Sequence, residues 1–322
     1  MEFSLIERIA AITRMPRADV PLGIGDDAAL GMVPPGYALA IAIDTLVEGV
    51  HFPTGTAPAD LGWKALAVNL SDLAAMGAEP AWALLALTLP TADADFVEGF
   101  AQGFAALAAP HRLALVGGDT TRGPLTLSVA VHGFVPTGQA LRRDGARIGD
   151  LVYVTGTLGD AAAGLEMARR RPLRAWRADE APAILLARLN RPTPRVAAGL
   201  ALRGIASACV DVSDGLVADL GHLCTRSGVG AEIEVARLPL SPALREEYTA
   251  ADALAAALGG GDDYELCCSV PPEHVAALET RAAALDCALT RIGRITEGGG
   301  VTLRAADGSV LHPTRGGWEH FA

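Results

Sequence analysis

The chain has 322 residues and a formal net charge of −11, and all but one of its 26 basic residues are arginines, the exception being Lys64. A P-loop needs a lysine directly after its glycine-rich turn, whereas Lys64 stands in Gly62-Trp63-Lys64-Ala65, so P-loop proteins are excluded. The acidic balance also argues against nucleic acid and anionic membrane surfaces as partners, since both attract patches of arginine and lysine.

The composition is that of a folded protein with one large or two ordinary domains. Hydrophobic residues make up 51% of the chain and charged residues 20%, which is too apolar for disorder. The five cysteines form no Cys-x-x-Cys pair, so we expect buried thiols in a reducing cytoplasm. Residues 1–14 predict an amphipathic helix rather than a signal peptide, and no run approaches the roughly 18 uncharged apolar residues of a membrane span.

The first half of the chain predicts alternating strands and helices. Apolar runs bounded by glycine or proline predict buried strands, and Asp60 and Gly77 are typical of the start and the stop of a helix. We therefore expect helices from Asp60 to about Met76 and over about 93–109, with strands at 37–43, 82–89, 113–116 and 125–135.

Residues 136–150 form the best candidate boundary, because the apolar content falls there and glycine, arginine and aspartate accumulate. The alternation then resumes, with helices expected from residues 192–194, Asp160 and Asp214 and strands near 151–154, 208–212, 231–235, 264–270 and 289–295. We expect two α/β domains, 1–137 and 138–322.

Aspartates recur at the predicted strand ends or beside glycine. Ligands collect at strand ends in α/β sheets, and clustered carboxylates repel one another unless a cation lies among them. Carboxylate donors suit a hard ion such as Mg²⁺, Mn²⁺ or Ca²⁺, and adjacent glycines let a phosphate approach the backbone. A lone aspartate is more often a cap or turn residue, as we expect of Asp60 and Asp160, but capping accounts poorly for the whole set. The set comprises Asp26, Asp27, Asp44, Asp72, Asp119, Asp211, Asp214, Asp262 and Asp263.

Other motifs have both a structural and a functional interpretation. The GIGDDA segment lacks the third glycine of a dinucleotide-binding turn, which argues against that fold. Residues 156–164 suit a phosphate-binding helix start, although tight strand-to-helix packing is the better account. His51 is as typical of a structural histidine as of a ligand contact, and Arg142 and Arg143 are either a solvated pair or a phosphate clamp. Trp318 belongs to a core or to a stacking platform, and the glycines before it favour exposure.

These segments together resemble the thiamine-monophosphate kinases. The order and spacing of that family are found in GIGDDAAL, IDTLVEGVHF, KALAVNLSDLAAMGAEP, GGDTTRGP, HGFVP, DVSDGL and GGGDDYELC, and the likeness runs from EFSLIERI to GGWEHF. The wider superfamily, which includes aminoimidazole ribonucleotide synthetase, shares the aspartate-rich pattern but lacks the full set. The resemblance implies a two-domain α/β (α+β) aminoimidazole ribonucleotide synthetase-like fold. It also implies a homodimer whose N-terminal domains pair into a shared barrel, and a C-terminal α/β sandwich domain.

The resemblance further implies a function, namely ATP-dependent phosphorylation of thiamine monophosphate to thiamine diphosphate. This is the last step of thiamine diphosphate biosynthesis, in the cytoplasm, with several Mg²⁺ ions. The family's magnesium positions match Asp27, Asp44, Asp72, Asp119, Asp211 and Asp214, with Asp26 and the main chain of Ala42 and Ile43 as further candidates. Positions that contact ATP match Gly118, Asp119, Arg143 and Ser213. Positions that contact the thiamine phosphate match His51, Asp262 and Trp318.

Two positions depart from the family pattern. Related sequences often have hydroxyl residues before Asp44, where this chain has Ala42 and Ile43, so only main-chain carbonyls there could bind a metal. The first acid of GGGDDYE is commonly glutamate and is Asp262 here, whose side chain is one methylene shorter.

The implied reaction brings two anions together. Unit charges ~4 Å apart repel by about 4 kcal/mol at an effective dielectric constant near 20. In a chain with a single lysine we expect aspartate-held Mg²⁺ to supply the positive charge, with Arg143 as a phosphate clamp and Trp318 as a wall for the thiamine ring. A phosphomonoester is already largely ionised at neutral pH, so we expect direct in-line transfer without a covalent nucleophile or a general base.

Two other functions stay open at the level of sequence. One is an ATP-dependent enzyme of the same superfamily that acts on a different acceptor. The other is a non-catalytic sensor of thiamine diphosphate or nucleotide that kept the metal site, although intact Asp27, Asp72 and Asp119 argue against a decayed enzyme.

Overall fold

The computed structural model describes residues 2–170, 177–311 and 317–318 and divides into two compact units. The first unit takes residues 1–73 and 78–138, and the second takes residues 74–77 and 139–322. Each unit combines helices with a mixed sheet, so the expected two-domain α/β class is confirmed. Of the GGWEHF segment, the structure describes Gly317 and Trp318, and the rest lies outside the described residues.

The first unit is built on one sheet. Its elements are α1 (Glu2–Ile12), β1 (Tyr37–Val47), α2 (Pro58–Ala75), β2 (Glu79–Leu89), α3 (Ala94–Ala108), β3 (Ala114–Arg122) and β4 (Thr126–Pro136). In the described residues the strand order is β1-β4-β2-β3. β4 pairs antiparallel with β1 and with β2, while β2 and β3 are parallel. Thus β1 and β3 are the outer strands.

One face of this sheet is buried, whereas the other is open along only part of its length, because Met15 and Val20 pack against Trp82 and Phe134 on that face. Leu85 on β2 and Val129 on β4 are buried, and they alternate with residues of the opposite face, as side chains along a strand must. On that opposite face Leu84 is 38% exposed, and Ile41 and Ile43 of β1 are 65% and 66% exposed. Among the described residues, the part of this face that carries Ile41, Ile43 and Leu84 is therefore left uncovered.

The second unit is built on a larger mixed sheet. Its elements are β5 (Leu151–Thr155), α4 (Asp160–Arg170), α5 (Ala181–Asn190), α6 (Val196–Leu202), β6 (Ala208–Val212), α7 (Leu216–Ser227), β7 (Gly230–Glu234), α8 (Pro242–Glu247), α9 (Ala250–Gly259), β8 (Glu265–Val270), α10 (Val275–Ala282), β9 (Leu289–Thr296), β10 (Gly300–Arg304) and β11 (Val310–Leu311). Among the described strands the order is β11-β10-β7-β9-β5-β8-β6. β6 lies at one edge and pairs antiparallel with β8.

Strands of the first unit run further than the sequence predicts. β3 continues through Gly117-Gly118-Asp119 to Arg122, because the two glycines pair with Leu84 and Leu85 of β2, directly after a register shift, and do not form a turn. Asp119 and Asp44 therefore lie inside strands, and Asp72 lies inside α2. The expectation that carboxylates follow strand ends is wrong for Asp44 and Asp119, whereas Asp72 lies within a helix, as the helix expected from Asp60 to about Met76 implies.

Both aspartates expected to be plain helix caps differ from that expectation. α2 begins at Pro58, so Asp60 is its third residue, and the fixed φ of proline suits the first turn. Asp160 opens α4 but is buried, and it accepts hydrogen bonds from Thr157 Oγ1 at 2.7 Å and from Ser241 Oγ at 2.6 Å. It therefore joins two segments of the second unit. Among the described residues, no helix has the length and apolar character needed to cross a membrane.

Candidate active site

The candidate metal carboxylates of the first unit are distributed over a loop, a helix and two strands. Asp26 and Asp27 are exposed in the segment before β1, where the Asp27 N–H donates to Asp26 Oδ1 at 2.8 Å. Asp72 is half-buried on α2 and Asp44 half-buried on β1, whereas Asp119 on β3 is exposed. The further candidates, the main chains of Ala42 and Ile43, belong to β1.

Asp44 and Asp119 lie at opposite edges of the sheet and on opposite faces. Asp44 is in register with Val129 and, through it, with Leu85 on the buried face. Asp119 is in register with Ala86, one residue further on, and so faces the open side. Three strand spacings of ~4.8 Å separate the two outer strands by roughly 14 Å. One copy of the first unit therefore does not place both carboxylates at a single ion.

His51 is held by main-chain contacts after β1. The Val47 N–H donates to His51 Nδ1 at 3.0 Å, so a neutral imidazole carries its proton on Nε2. Lys64 on α2 donates from Nζ to the His51 carbonyl at 3.3 Å, and its side chain is only 1% exposed. The one lysine is thus a buried group that supports the His51 segment, a role that the sequence alone did not indicate.

Candidate residues of the second unit are brought together by main-chain hydrogen bonds at the turn Ser213–Gly215. The Asp262 N–H donates to the Ser213 carbonyl at 2.8 Å, and the Trp318 N–H donates to the Asp214 carbonyl at 3.1 Å. This turn directly follows β6, whose Asp211 is in register with Leu266 of β8. Three segments that are distant in sequence therefore meet at one place.

The Asp262 loop has a strained main chain. Asp262 and Tyr264 have φ values of 68° and 51°, in the left-handed region that side chains disfavour. The loop is held by the Tyr264 N–H, which donates to the Val212 carbonyl at 2.8 Å, and by the Tyr264 hydroxyl, which donates to Asp262 Oδ1 at 2.9 Å. A Cβ on Gly261 would lie 2.4 Å from the Ser213 carbonyl oxygen, so this approach requires glycine. These contacts keep Asp262 beside the turn in spite of the strain.

Trp318 is 48% exposed, which removes the core alternative and fits an accessible aromatic surface. Its main-chain bond to Asp214 places it at the same turn as Asp262. Both residues expected to contact the thiamine phosphate in this unit are therefore neighbours of the predicted ATP contact Ser213.

Asp219 is a residue of this site that the sequence analysis missed. It lies in the first turn of α7, is 3% exposed, and its Oδ2 accepts the N–H groups of Ser213 at 3.0 Å, Asp214 at 3.0 Å and Gly215 at 3.1 Å. Burial raises the pKa of Asp219 to about 7, and the nearby Asp211 carboxylate adds to the rise. The signal in the sequence was its position four residues after Gly215, where an acid can reach back to the main chain before its helix.

Asp263, next to Asp262, is a structural acid. It is buried and accepts the Gly159 N–H at 2.7 Å, just before α4. Burial holds the pKa of its carboxyl well above the usual range, against the opposing effect of the Gly159 bond. Because this carboxylate occupies the start of α4, residues 156–164 are not open to a phosphate there, which favours the packing account of that motif.

A buried ion network anchors β8 behind the Asp262 loop. Glu265, the first residue of β8, is fully buried and binds Arg195 through Nε at 2.6 Å and Nη2 at 2.7 Å. It also accepts from Arg188 Nη2 at 2.7 Å and from Thr155 Oγ1 at 2.7 Å. Breaking such a buried ion pair would leave an uncompensated charge in the interior. The two arginines therefore hold Glu265, and with it the first residue of β8, in place.

Arg143 lines a surface pocket of the second unit. The pocket has a volume of about 240 Å³ and is lined by Arg143, His222, Thr225 and Arg226. Arg142 points elsewhere, because it pairs with Asp144 at 2.8 Å and 2.5 Å. Whole ligands usually occupy about 300–1,000 Å³, so this basic pocket suits an anionic part of a ligand rather than a complete nucleotide.

The donor chemistry of these residues fits a hard divalent cation. Every candidate side chain is a carboxylate, and within the described ranges no three Asp, Glu, His or Cys side chains group into a metal-binding cluster. Mg²⁺ prefers such hard oxygen donors and is typically held by one or two carboxylates together with waters and the phosphates of a substrate.

Family models match most of the chain. Residues 25–135 match the AIR synthase related protein, N-terminal domain, and residues 147–306 match its C-terminal domain. The thiamine-monophosphate kinase of Salmonella typhimurium is 48% identical over 321 residues, which cover 100% of this chain and 98% of that protein.

Solved structures extend the likeness to the fold. The crystal structure of thiamine-monophosphate kinase from Stenotrophomonas maltophilia K279a is 54% identical, with a TM-score of 0.89 over 96% of this chain and 98% of that one. The complex of AaThiL with AMPPCP and TMP is 36% identical, with a TM-score of 0.79 over 99% and 97% of the two chains.

Proposed function

We infer that this chain, which belongs to the thiamine-monophosphate kinases within the AIR synthase related family, transfers a phosphoryl group from ATP to thiamine monophosphate. The observation that carries this conclusion is similarity over the whole length, including a relative solved with an ATP analogue and TMP. The chain is thus a kinase of thiamine biosynthesis whose product is thiamine diphosphate.

The turn Ser213–Gly215 organises the substrate side of the site. We assign Ser213 to ATP and Asp262 and Trp318 to the thiamine phosphate, and the main-chain bonds at this turn support that grouping. The strained Asp262 loop supports it further, because strain of this kind persists where the surrounding structure enforces it. Arg143, in its basic pocket, binds phosphate oxygens.

Magnesium would be held by Asp27, Asp44, Asp72, Asp119, Asp211 and Asp214, with Asp26 and the carbonyls of Ala42 and Ile43 as additional donors. When bound, it would offset the negative charge of the phosphates and of the transferring group. The aspartate carboxylates would be the metal ligands, and Gly118 leaves the main chain accessible beside Asp119. His51, whose Nδ1 accepts from the Val47 N–H, presents its Nε2–H to the substrate. We keep the division into a metal, ATP and dimer domain at 1–137 and a domain at 138–322 that completes the nucleotide and substrate site.

The phosphate of thiamine monophosphate attacks directly. It is largely dianionic at neutral pH and needs no base to generate it. The thiols of Cys209, Cys267 and Cys268 are buried, and burial raises their pKa values, which removes them as nucleophiles. Incubation with γ-labelled ATP in the absence of acceptor should leave the protein unlabelled, and a labelled side chain would overturn direct transfer.

A second copy of the chain completes the first unit. The open apolar face with Ile41, Ile43 and Leu84 needs cover, and a barrel of two such sheets would supply it. In a dimer with two-fold symmetry every contact occurs twice, so β1 of each copy can pair with β3 of the other copy and the two sheets close into a barrel. Asp44 of one copy and Asp119 of the other would then lie on neighbouring strands, one strand spacing apart instead of three, although they face opposite sides of the sheet. We place this homodimer in the cytoplasm, which free buried thiols favour.

An acceptor panel separates this function from its closest alternative. Under saturating ATP and Mg²⁺, thiamine monophosphate should give ADP, while other small phosphorylated and carboxylated acceptors should not. Production of ADP with another acceptor but none with thiamine monophosphate would favour a different enzyme of the superfamily. Calorimetric binding of thiamine monophosphate and a non-hydrolysable ATP analogue, without turnover, would favour the sensor.

A further inference from the structure

The carboxylate of Asp219 lies directly beneath the turn that organises the site. One oxygen, Oδ2, accepts three consecutive main-chain N–H groups, those of Ser213, Asp214 and Gly215, at 3.0, 3.0 and 3.1 Å. The group is 3% exposed, so water does not replace these bonds. Three consecutive N–H groups aimed at one point form an anion-binding nest, and here the anion belongs to the chain itself.

The turn cannot keep this shape through local preference alone. Gly215 has a φ of 124°, and the three N–H groups precede α7, where the first donors of a helix have no partner within it. A Cβ on Gly215 would lie 2.9 Å from the Gly259 carbonyl carbon, so the turn is also confined from outside. The Asp219 carboxylate satisfies the donors and fixes their directions.

The opposite side of the same turn holds the substrate segments. The Ser213 carbonyl accepts from Asp262 and the Asp214 carbonyl accepts from Trp318. Asp219 occupies the N–H groups, and the substrate segments occupy the carbonyls. Any displacement of the turn therefore moves Asp262 and Trp318 as well as Asp211, Ser213 and Asp214.

We propose that Asp219 is a positioning residue for phosphoryl transfer, which fixes the Ser213–Gly215 turn and, through it, both the ATP-side and the thiamine-side groups. The inference rests on the proposed function and deepens it. The N–H groups at the start of a helix often bind phosphate, but at this turn Asp219 already accepts them. The turn therefore presents side chains, and not main-chain N–H groups, to the reactants.

Two variants of Asp219 and one control test this role by steady-state kinetics. Asp219→Ala leaves three main-chain donors without this acceptor, and kcat should fall by about 100-fold while KM rises for both ATP and thiamine monophosphate. Asp219→Asn keeps an oxygen at the acceptor position and should recover most of the loss. Asp150→Ala is the matched control, because Asp150 is also buried and accepts a main-chain N–H, that of Arg147 at 2.9 Å, away from the turn.

The separate effects on kcat and on the two KM values distinguish a positioning residue from one that only stabilises the fold. A merely structural residue lowers the folded fraction and leaves both KM values unchanged, as we expect for Asp150→Ala. If Asp219→Ala has wild-type KM values and a wild-type kcat per folded molecule, the proposal is wrong.

Amide hydrogen exchange tests the same geometry without any turnover. In the wild-type chain the amides of residues 213–215 should exchange at least about 100-fold more slowly than those of Gly298 and Gly299 in an exposed turn, and Asp219→Asn should speed their exchange. Exchange at 213–215 as fast as at 298–299 would overturn the proposal even if Asp219→Ala does not fold. Because this measurement needs no substrate, it stays informative if the kinase assignment itself fails.

Discussion

The main-chain N–H of Asp262 donates to the carbonyl of Ser213 at 2.8 Å and so joins the loop before β8 to the turn after β6. The bond connects a residue assigned to the thiamine phosphate with one assigned to ATP. A shared backbone contact of this kind couples the positions of the two reactants, which is the geometric requirement of direct transfer.

Replacing Gly261 by alanine should break this coupling. The new Cβ would lie 2.4 Å from the Ser213 carbonyl oxygen, so the two loops must separate. We expect kcat/KM for thiamine monophosphate to fall by about 10- to 100-fold, since misplacement by about 1 Å costs that much. Gly299→Ala is the control, because a Cβ on Gly299 would have no neighbouring atom within 4 Å. Equal rates for the two variants would refute the coupling.

Asp72→Asn should lower kcat by orders of magnitude with folding intact. The change removes the charge from a half-buried carboxylate of α2 and preserves its shape. Asp93→Asn is the matched control, because Asp93 caps α3 and asparagine caps equally well. The measurement is steady-state turnover beside a thermal melt, and a near wild-type rate for Asp72→Asn would remove Asp72 from the metal site.

Ile43→Lys should prevent dimer formation. The side chain is 66% exposed on the open face of the first sheet, where a barrel interior would bury its charge. Light scattering should report a monomer for this variant and a dimer for the wild type and for Ile148→Lys, whose residue is exposed in the second unit. A wild-type chain that is monomeric at micromolar concentration would contradict the barrel.

Mixing two inactive variants tests whether the copies share a site. If Asp44 of one copy works with Asp119 of the other, a mixed dimer of Asp44→Asn and Asp119→Asn chains contains one site without either change. Activity should then return after the two variants are unfolded and refolded together. No recovery, despite mixed dimers by mass spectrometry, would assign both carboxylates to the same chain.

Lys64→Arg should destabilise the protein, although the change keeps the positive charge and no catalytic role is assigned to Lys64. The side chain is 1% exposed, and a larger group forced into a packed core costs about 1–3 kcal/mol. Thermal unfolding measures the loss, and Lys64→Met, which keeps the apolar stem and removes the charge, separates volume from the bond to His51. A melting temperature unchanged by arginine would show that the core can adapt.

The sequence predicted the class of fold and the family well, because both depend on apolar periodicity and on motifs whose order is specific. Placement of the aspartates was predicted less well. The Gly117-Gly118 pair is typical of a turn, yet pairing with β2 keeps it inside β3, and so Asp119 lies within a strand. The pairing with β2 outweighs the local preference of glycine for turns, and the sequence of one segment does not show that pairing.

The supporting residues were harder still to predict. Asp219, Asp263 and Lys64 have no motif of their own, and their roles appear only when distant segments are packed together. Asp262 and Asp263 are adjacent and chemically identical, yet one faces the site and the other is buried against the start of α4. Burial, which the sequence does not display, separates their functions.

The most direct measurement of the central claim is the joint quantification of ADP and thiamine diphosphate formed from ATP and thiamine monophosphate, with Mg²⁺ and with a chelator. The kinase assignment predicts equal amounts of both products with Mg²⁺ and neither with the chelator. ADP without thiamine diphosphate, or no product from a folded protein that binds both reactants, would contradict it.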